Sequence, residues 1–433
     1  MKNLIVIGHP DTNSFCYNGI FKTVKSEIEK RKEDLQIIDL YRDKFTRPRN
    51  KLIKKYQDLV TWTDRIYIIS PVWWFRLTPR MEIFFDEVFT PGFAYKFVNI
   101  TKTYAYPVPF LKNKNRTIKE HSFEMGKLFS NFASVAAKNP LADRRQGFTA
   151  DEIATVNPNN PYIGFPYTKL MNSNAFIDQS AAIILTSVAK AKELGIPKEK
   201  WVYLHGCADA YDNWYLSDRI NFHSSHAMRI VARETFEMAG CSLDDIDALD
   251  LYSCFPSAVQ IACDEMGISI DDPRGLTITG GLPYFGGPGN NYVTHSIAEM
   301  MNKVRAQPGI KGLVTANGNY ITKQSAGIYS TEPLKKMFSP KDPSVYQVEI
   351  NKQKGPVFSE FAEGNAIIET YTIMHDRKGP SFGIVFGRLN NGSRFIANTP
   401  QDKSLMNAMV LEDYLGKSGK VKNSKDINIF TPD

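Results

Sequence analysis

Cysteine is scarce in this chain: five residues among 433 (Cys16, Cys207, Cys241, Cys254 and Cys263), an odd number, widely spaced and without a CxxC pair. That spacing indicates neither a disulfide framework nor a zinc site. Histidine is nearly as rare, with seven residues. His223 and His226 stand three apart, but no third ligand joins them in sequence, so no metal is expected. No window approaches the roughly 18 uninterrupted apolar residues of a membrane-spanning helix, and the opening MKNLIVIGHP turns polar too soon for a signal peptide, which reads as a cytoplasmic protein without a membrane span. Charge of one sign is not in large excess either, 53 Lys+Arg against 46 Asp+Glu. The imbalance is local: residues 1–103 hold 18 basic and 12 acidic side chains. Arg42, Lys44, Arg47, Arg49, Lys51, Lys54 and Lys55 cluster without a nucleic-acid motif, so the cluster reads as a solvated loop and no nucleic-acid partner is expected.

What the chain does have is 42% hydrophobic residues, enough for large cores and far too many for disorder. At about 150 residues per domain the length allows two or three domains. The first hundred residues alternate. Asn3–Ile7 is a short apolar strand ending at Gly8, Ser14–Lys30 has helical spacing of Phe15, Ile20, Phe21, Val24 and Ile28, and Leu35–Leu40 and Arg65–Ser70 repeat the strand pattern after helical stretches. With a helix over Pro79–Phe89, this β-α-β-α-β-α order predicts a parallel sheet, whose ligands bind beyond the strands' carboxyl ends. Those ends carry GHPDTNSF (8–15), a phosphate cradle at a helix start, and SPVWWF (70–75), which supplies flat aromatic faces.

With the continuation RLTPRMEIFFDEVFTPGFAY to residue 95, residues 1–97 resemble the flavodoxin-like NAD(P)H quinone oxidoreductases. The resemblance implies FMN or FAD, with its phosphate near His9, Asn13, Ser14 and Phe15 and its ring against Val72, Trp73, Trp74 and Phe75. It also implies a quinone-side loop at Thr90–Tyr95. The chain changes character near Val98, with three strands where such a domain has about five.

From residue 104 the motifs differ. Ser180–Leu194 reads as a buried helix, Trp201–His205 as a strand, and Ala227–Ala239 as a helix ended by Gly240. Asp250–Ser253 reads as a buried strand running into a helix over Ser257–Met266. Gly280–Asn291 is a close-approach loop whose amides could face an anion or an acyl carbonyl. Near the end, Glu369–His375, Ser381–Leu389 and Ser393–Ala397 alternate as antiparallel strands of a small barrel or sheet, and Lys417–Lys425 reads as a mobile tail.

NPYIGFPYTKLMN (160–172), WVYLHGCADAYD (201–212), DLYSCFPSAVQIACDEMGI (250–268), TITGGLPYFGGPGNNYVTHSIAEM (277–300) and GLVTANGNY (312–320) stand in an order that resembles thiolases. The group in question is the acetyl-CoA acetyltransferases related to the sterol-carrier-protein-linked thiolases. The match runs over residues 104–433. It implies the second half of a thiolase α/β fold over 98–340, a small appended β-rich domain over 341–433, acyl-CoA as substrate, and a homo-oligomer or a complementary subunit. The expected architecture is therefore α/β throughout: a flavodoxin-like βαβαβα fragment, a thiolase-like domain and the β-rich domain.

Thiolase chemistry needs a nucleophilic cysteine, an activating histidine and a second cysteine that moves a proton. The resemblance puts the nucleophile in the first half, where the flavodoxin-like segment stands. It puts the histidine of the family's GHP motif at Gly287, the second cysteine at Asn317, and the asparagine of its NEAF loop at Tyr252. Cys254 and His295 could pair in their stead. Equally, Cys254 reads as a small buried hydrophobe and His295 as a satisfied helix residue. Asn290, Asn291 and Asn317 could donate to a thioester oxygen or stabilise their loops. The acyl-CoA loop would comprise Tyr252, Ser253, Gly280, Gly281, Gly286, Gly287, Asn290 and Asn291. Three functions follow: a thiolase-like acyltransferase, a flavin-dependent quinone reductase, and a non-catalytic fusion of two partial domains.

Overall fold

The computed structural model describes residues 1–14, 16–43, 49–69, 116–376, 378–424 and 427–433. Its contacts divide the chain into two compact units, Met1–Thr101 and Lys102–Asp433.

In the first unit, β1 (Lys2–Ile7), α1 (Lys22–Lys30), β2 (Asp34–Asp39), α2 (Asn50–Trp62) and β3 (Arg65–Ile69) follow the predicted alternation, with a turn of π-helix over Cys16–Phe21 before α1. The sheet is parallel in the order β2-β1-β3. β1 is central, which explains its uninterrupted run Asn-Leu-Ile-Val-Ile: a parallel strand is covered on both faces. Leu4 and Val6 pack with Ile38 and Tyr56 on one side, Ile5 and Ile7 with Tyr17, Ile28 and Ile69 on the other. In the basic cluster, Arg42 pairs with Asp39 and Lys54 with Asp58; Lys44 and Arg47 lie outside the described residues.

The second unit opens with α3 (Ile118–Lys138). Thr117 and Glu120 form a reciprocal capping box at its start, and Met125, Leu128, Phe129, Phe132 and Ala136 recur at helical spacing on its buried face. After α4 (Ala150–Ala154), β4 (Tyr162–Gly164) and β5 (Tyr167–Thr168) form a short antiparallel pair, and the short α5 covers Val188–Glu193. A four-stranded sheet is built from β6 (Tyr203–Tyr211), β7 (Ala248–Asp250), β8 (Lys311–Gly318) and β9 (Lys323–Ser330), in the order β6-β9-β8-β7. Between its strands run α6 (His226–Ala239), α7 (Pro256–Met266), α8 (Gly281–Tyr284) and α9 (Tyr292–Ala306). α6 lies so close to β6 that a Cβ at Gly206 would meet the Thr235 carbonyl oxygen, which glycine alone permits.

α10 (Pro343–Asn351) leads to β10 (Gly364–Asp376), β11 (Gly379–Leu389), β12 (Arg394–Asn398), α11 (Lys403–Leu411), β13 (Ser418–Ser424) and β14 (Ile427–Pro432). These strands pair in the order β11-β12-β14-β13-β10, and β10 pairs again with β11, so the ring closes and leaves no free edge. Ile368, Tyr371, Ile373, Phe395 and Phe430 fill it together with Met406 and Met409 of α11. β4 adds to β10, so the sheet recruits residues that precede it in the chain by about 200 positions.

Two expectations are corrected. Residues 418–424 are not a tail: Gly419 and Val421 are buried, and β13 is zipped to both β10 and β14. Alternating burial outweighs the Lys, Ser and Asn content that suggested mobility. Ser180–Leu194 is not a buried helix. Only Val188–Glu193 is helical, and Ile184 and Leu185 are 79% and 84% exposed.

Candidate active site

The predicted loops converge at the C-terminal ends of β7 and β8. Beyond Asp250 the chain leaves the sheet: Leu251 N–H donates to the Leu276 carbonyl and Tyr252 N–H to Thr315 Oγ1 at 2.9 Å. Ser253 Oγ then accepts from Leu282 N–H at 3.2 Å, which ties the loop after β7 to the start of α8. Gly280 and Gly281 take φ of +106° and +77°. A Cβ on Gly280 would lie 2.5 Å from Ala136 Cβ, and one on Gly281 2.6 Å from Ser253 Oγ. Glycine is required here by both conformation and space.

Asp250 holds this junction from beneath. Its carboxylate accepts from Thr279 N–H at 3.2 Å, and Thr279 Oγ1 lies 2.8 Å from the Tyr292 hydroxyl. All three side chains are buried, and burial pushes the Asp250 carboxyl up to about 7 against the bonds from Thr279 and Tyr292. None of the three was singled out from sequence. The available signal was an acidic residue closing the apolar run Ala248-Leu249.

Cys254 and Asn317 are brought together: Cys254 Sγ donates to Asn317 Oδ1 at 3.9 Å. Burial pushes the Cys254 thiol up to about 12. Asn317 Nδ2 is buried and has no partner among the described residues. With Tyr252, Thr315 and Ser325 it lines a cavity of about 10 Å³, room for one water. His295 is engaged elsewhere. Its Nδ1 lies 3.0 Å from the Asn291 carbonyl oxygen, and its ring meets Phe285 edge-on at 5.5 Å. No hydrogen bond links it to Cys254 among the described residues.

The Asn291 side chain is bound to the Ala181 backbone, and Asn290 is exposed. Gly286 and Gly287 pack against Gln179 and Ser173, with no room for a Cβ. His205 Nε2 lies 2.7 Å from the Glu332 carbonyl oxygen, and His226 pairs with Glu349. Among the described residues, no three His, Cys, Asp or Glu side chains gather as a metal site, and no helix is long and apolar enough to cross a membrane.

In the first unit, the loop after β1 consumes most of its own amides. Asp11 N–H donates to His9 Nδ1 at 2.9 Å, Asn13 N–H to Asp11 Oδ1 at 2.8 Å, and Ser14 N–H to the Asp11 carbonyl. The Ser14 hydroxyl is buried without a partner among the described residues. Phe15, Val72, Trp73, Trp74, Phe75 and the loop Thr90–Tyr95 lie outside the described residues.

Comparison with known proteins accounts for both halves. The solved structure of a monomeric SCP2-thiolase like protein type 1 from Mycobacterium smegmatis is 31% identical, with a TM-score of 0.72 over 100% of this chain and 89% of that one. The chain belongs to the SCP2-thiolase-like proteins of type 1. Residues 346–426, which include the barrel strands β10 to β13, match the family model described as the thiolase-like protein type 1 additional C-terminal domain. Residues 1–119 match the model described as a flavodoxin-like fold. An uncharacterized NAD(P)H oxidoreductase, YdeQ of Bacillus subtilis (strain 168), is 32% identical over 95 residues, which are 22% of this chain and 45% of that protein. The chain thus spans less than half the length of that curated relative. Smu.1420 from Streptococcus mutans UA159 is 35% identical over 23% of this chain and 58% of its own, with a TM-score of 0.19. This SCP2-thiolase-like chain therefore carries a flavodoxin-like segment at its N-terminal end and the thiolase-like fold with its added β domain after it.

Proposed function

We propose that the thiolase-like unit binds acyl-CoA thioesters at Asn317, which lines the cavity and accepts from Cys254, and is impaired in acyl transfer. The observation that carries this reading is the state of Cys254. A thiol raised to about 12 and hydrogen-bonded to an acceptor leaves only about one molecule in 10⁵ as thiolate at pH 7. His295, whose Nδ1 faces the Asn291 carbonyl, makes no hydrogen bond to Cys254 among the described residues. Binding is supported by Asn317 Nδ2. It is a buried donor without a partner among the described residues, so a thioester oxygen entering the cavity would satisfy it. Calorimetric titration with acetyl-CoA beside an assay of acetyl transfer between CoA esters tests the reading. Binding that weakens in Asn317→Ala, with transfer at background, is expected. Transfer abolished by Cys254→Ala would overturn it.

A second reading concerns the first unit. We propose that its loop 8–14 receives the phosphate of FMN or FAD, an assignment supported by the partnerless Ser14 hydroxyl and by the flavodoxin-like match. A bound flavin would supply hydride and electron transfer, and Ser14 would hold its phosphate. Because Asp11, Asn13 and Ser14 spend their amides within the loop, few of its donors are left for a phosphate, and binding should be weak. Full-length protein that retains stoichiometric flavin through gel filtration would contradict this.

The exposed apolar side chains of Val345 and Val348 on α10, with Val357 and Phe361 beyond it, support association with a second copy or a complementary chain. Sedimentation as a monodisperse monomer at micromolar concentration would count against it.

A further inference from the structure

From Ile177 to Ile184 burial alternates strictly, with residues 177, 179, 181 and 183 turned inward and 178, 180, 182 and 184 outward. That is the period of an extended strand, yet this segment joins no sheet among the described residues. Side chains take the place of a neighbouring strand. Asn291 Oδ1 accepts from Ala181 N–H at 2.8 Å while its Nδ2 donates to the Ala181 carbonyl at 3.2 Å, and Gln179 Nε2 donates to the Leu141 and Phe285 carbonyls. The segment is therefore a fixed wall rather than a loose loop.

Between this wall and the flank of α9 lies a groove of about 480 Å³, with Ile183, Val188, Trp201, Val202 and Met301 among its apolar lining. The volume is that of a small-molecule site. Trp201 is held in place by its Nε1–H, which donates to the Ile196 carbonyl at 3.0 Å. The charged side chains that line the groove are Lys200 and Arg305, and no carboxylate does. Arg305 spends Nε and Nη2 on the Lys200 carbonyl, and its Nη1 has no partner among the described residues. Residues 188–199 add three lysines against two glutamates, of which Glu193 is paired with Lys190.

The groove is distinct from the cavity at Asn317. Tyr203, at its edge, and Lys311 both stand opposite Ser330, whereas Asn317 and Ala210 both stand opposite Gln324. Along β6 this is a separation of seven residues, about 23 Å at 3.3 Å per residue.

We propose that this groove binds a free, single-chain anionic amphiphile, a fatty acyl carboxylate, with its chain against Ile183, Trp201 and Met301 and its head at Arg305 and Lys200. Apolar lining drives burial of the chain, and a guanidinium with an uncommitted N–H selects a carboxylate over a neutral or cationic head.

Trp201 makes the test direct. Full-length protein is titrated with dodecanoate, dodecanol and dodecyltrimethylammonium below their micellar concentrations, following tryptophan emission, with Trp201→Phe as the control that the signal is local. Saturable binding of dodecanoate is expected, about tenfold or more tighter than either other head group. Arg305→Gln should weaken it by about tenfold at an unchanged melting temperature, and hexanoate should bind far more weakly because fewer methylenes are buried. Equal response to all three head groups, or affinity indifferent to Arg305→Gln, overturns the proposal. So does co-sedimentation with anionic phosphatidylglycerol vesicles in the absence of dodecanoate binding. A dimer that buries the groove and binds no dodecanoate overturns it as well.

Discussion

Asp250→Asn probes the junction beneath the candidate site. The native carboxyl sits at about 7 because it is wholly buried, against an ordinary 3.8, and at 1.36 kcal/mol per pH unit that difference corresponds to about 4 kcal/mol. The folded-state value is raised, so between about pH 4 and pH 7 the native protein keeps a proton that the unfolded chain has released. Stability contributed by this group is therefore full below about pH 4, falls as pH rises through the window, and levels off above about 7. Asparagine keeps a neutral acceptor for Thr279 N–H and removes the titration. In urea unfolding of the two full-length proteins at pH 5, 6, 7 and 8, the variant should gain on the wild type by roughly 3 kcal/mol from the lowest pH to the highest. The comparison cancels every other titrating group. Parallel pH profiles would mean that Asp250 is ionised in the native state and that water reaches Thr279 and Tyr292, which refutes the reasoning.

Gly280→Ala places a methyl 2.5 Å from Ala136 Cβ at a φ of +106°; a loss of about 3 kcal/mol or more in thermal or urea unfolding is expected, and wild-type stability would show that α3 does not abut this loop. Iodoacetamide at pH 8 should label Cys254 of the folded protein last among readily reached thiols, since about one molecule in 10⁴ is thiolate for a group at about 12; rapid modification found by peptide mass mapping would sink both this and the proposed lack of acyl transfer. Arg394, wholly buried, pairs with Glu369 at 2.6 Å and donates to the Ser217, Arg219 and Ile220 carbonyls. Arg394→Met leaves that carboxylate short of a partner and should cost roughly 3 to 5 kcal/mol, read as a lowered melting temperature; a neutral outcome would mean that Arg388 alone satisfies Glu369. Ser14→Ala should remove whatever weak FMN affinity the full chain has, measured by quenching of flavin fluorescence, and unchanged affinity would place the phosphate elsewhere.

The sequence by itself determined what rests on local periodicity and short motifs. The alternation of strand and helix patterns over residues 3–70 announced a parallel sheet, and Gly240 marked the end of α6. The motifs around Cys254, Gly280 and Asn317 located the loops that do meet at the ends of β7 and β8. Tertiary structure decided what depends on partners distant in the chain. β13 became a strand despite its Lys-, Ser- and Asn-rich composition because β10 and β14 supply its ladders, and side-chain burial on one face outweighs composition. Ile184 and Leu185 stayed exposed despite their hydrophobicity because the segment that carries them meets two side-chain amides rather than a sheet. In sequence Cys254 and His295 could pair or could each be an ordinary structural residue. Only the fold shows what each touches, Asn317 for one and the Asn291 carbonyl for the other. The pKa of Asp250 likewise depends on burial made jointly by three separate segments, those of Asp250, Thr279 and Tyr292, and no local pattern encodes a dielectric.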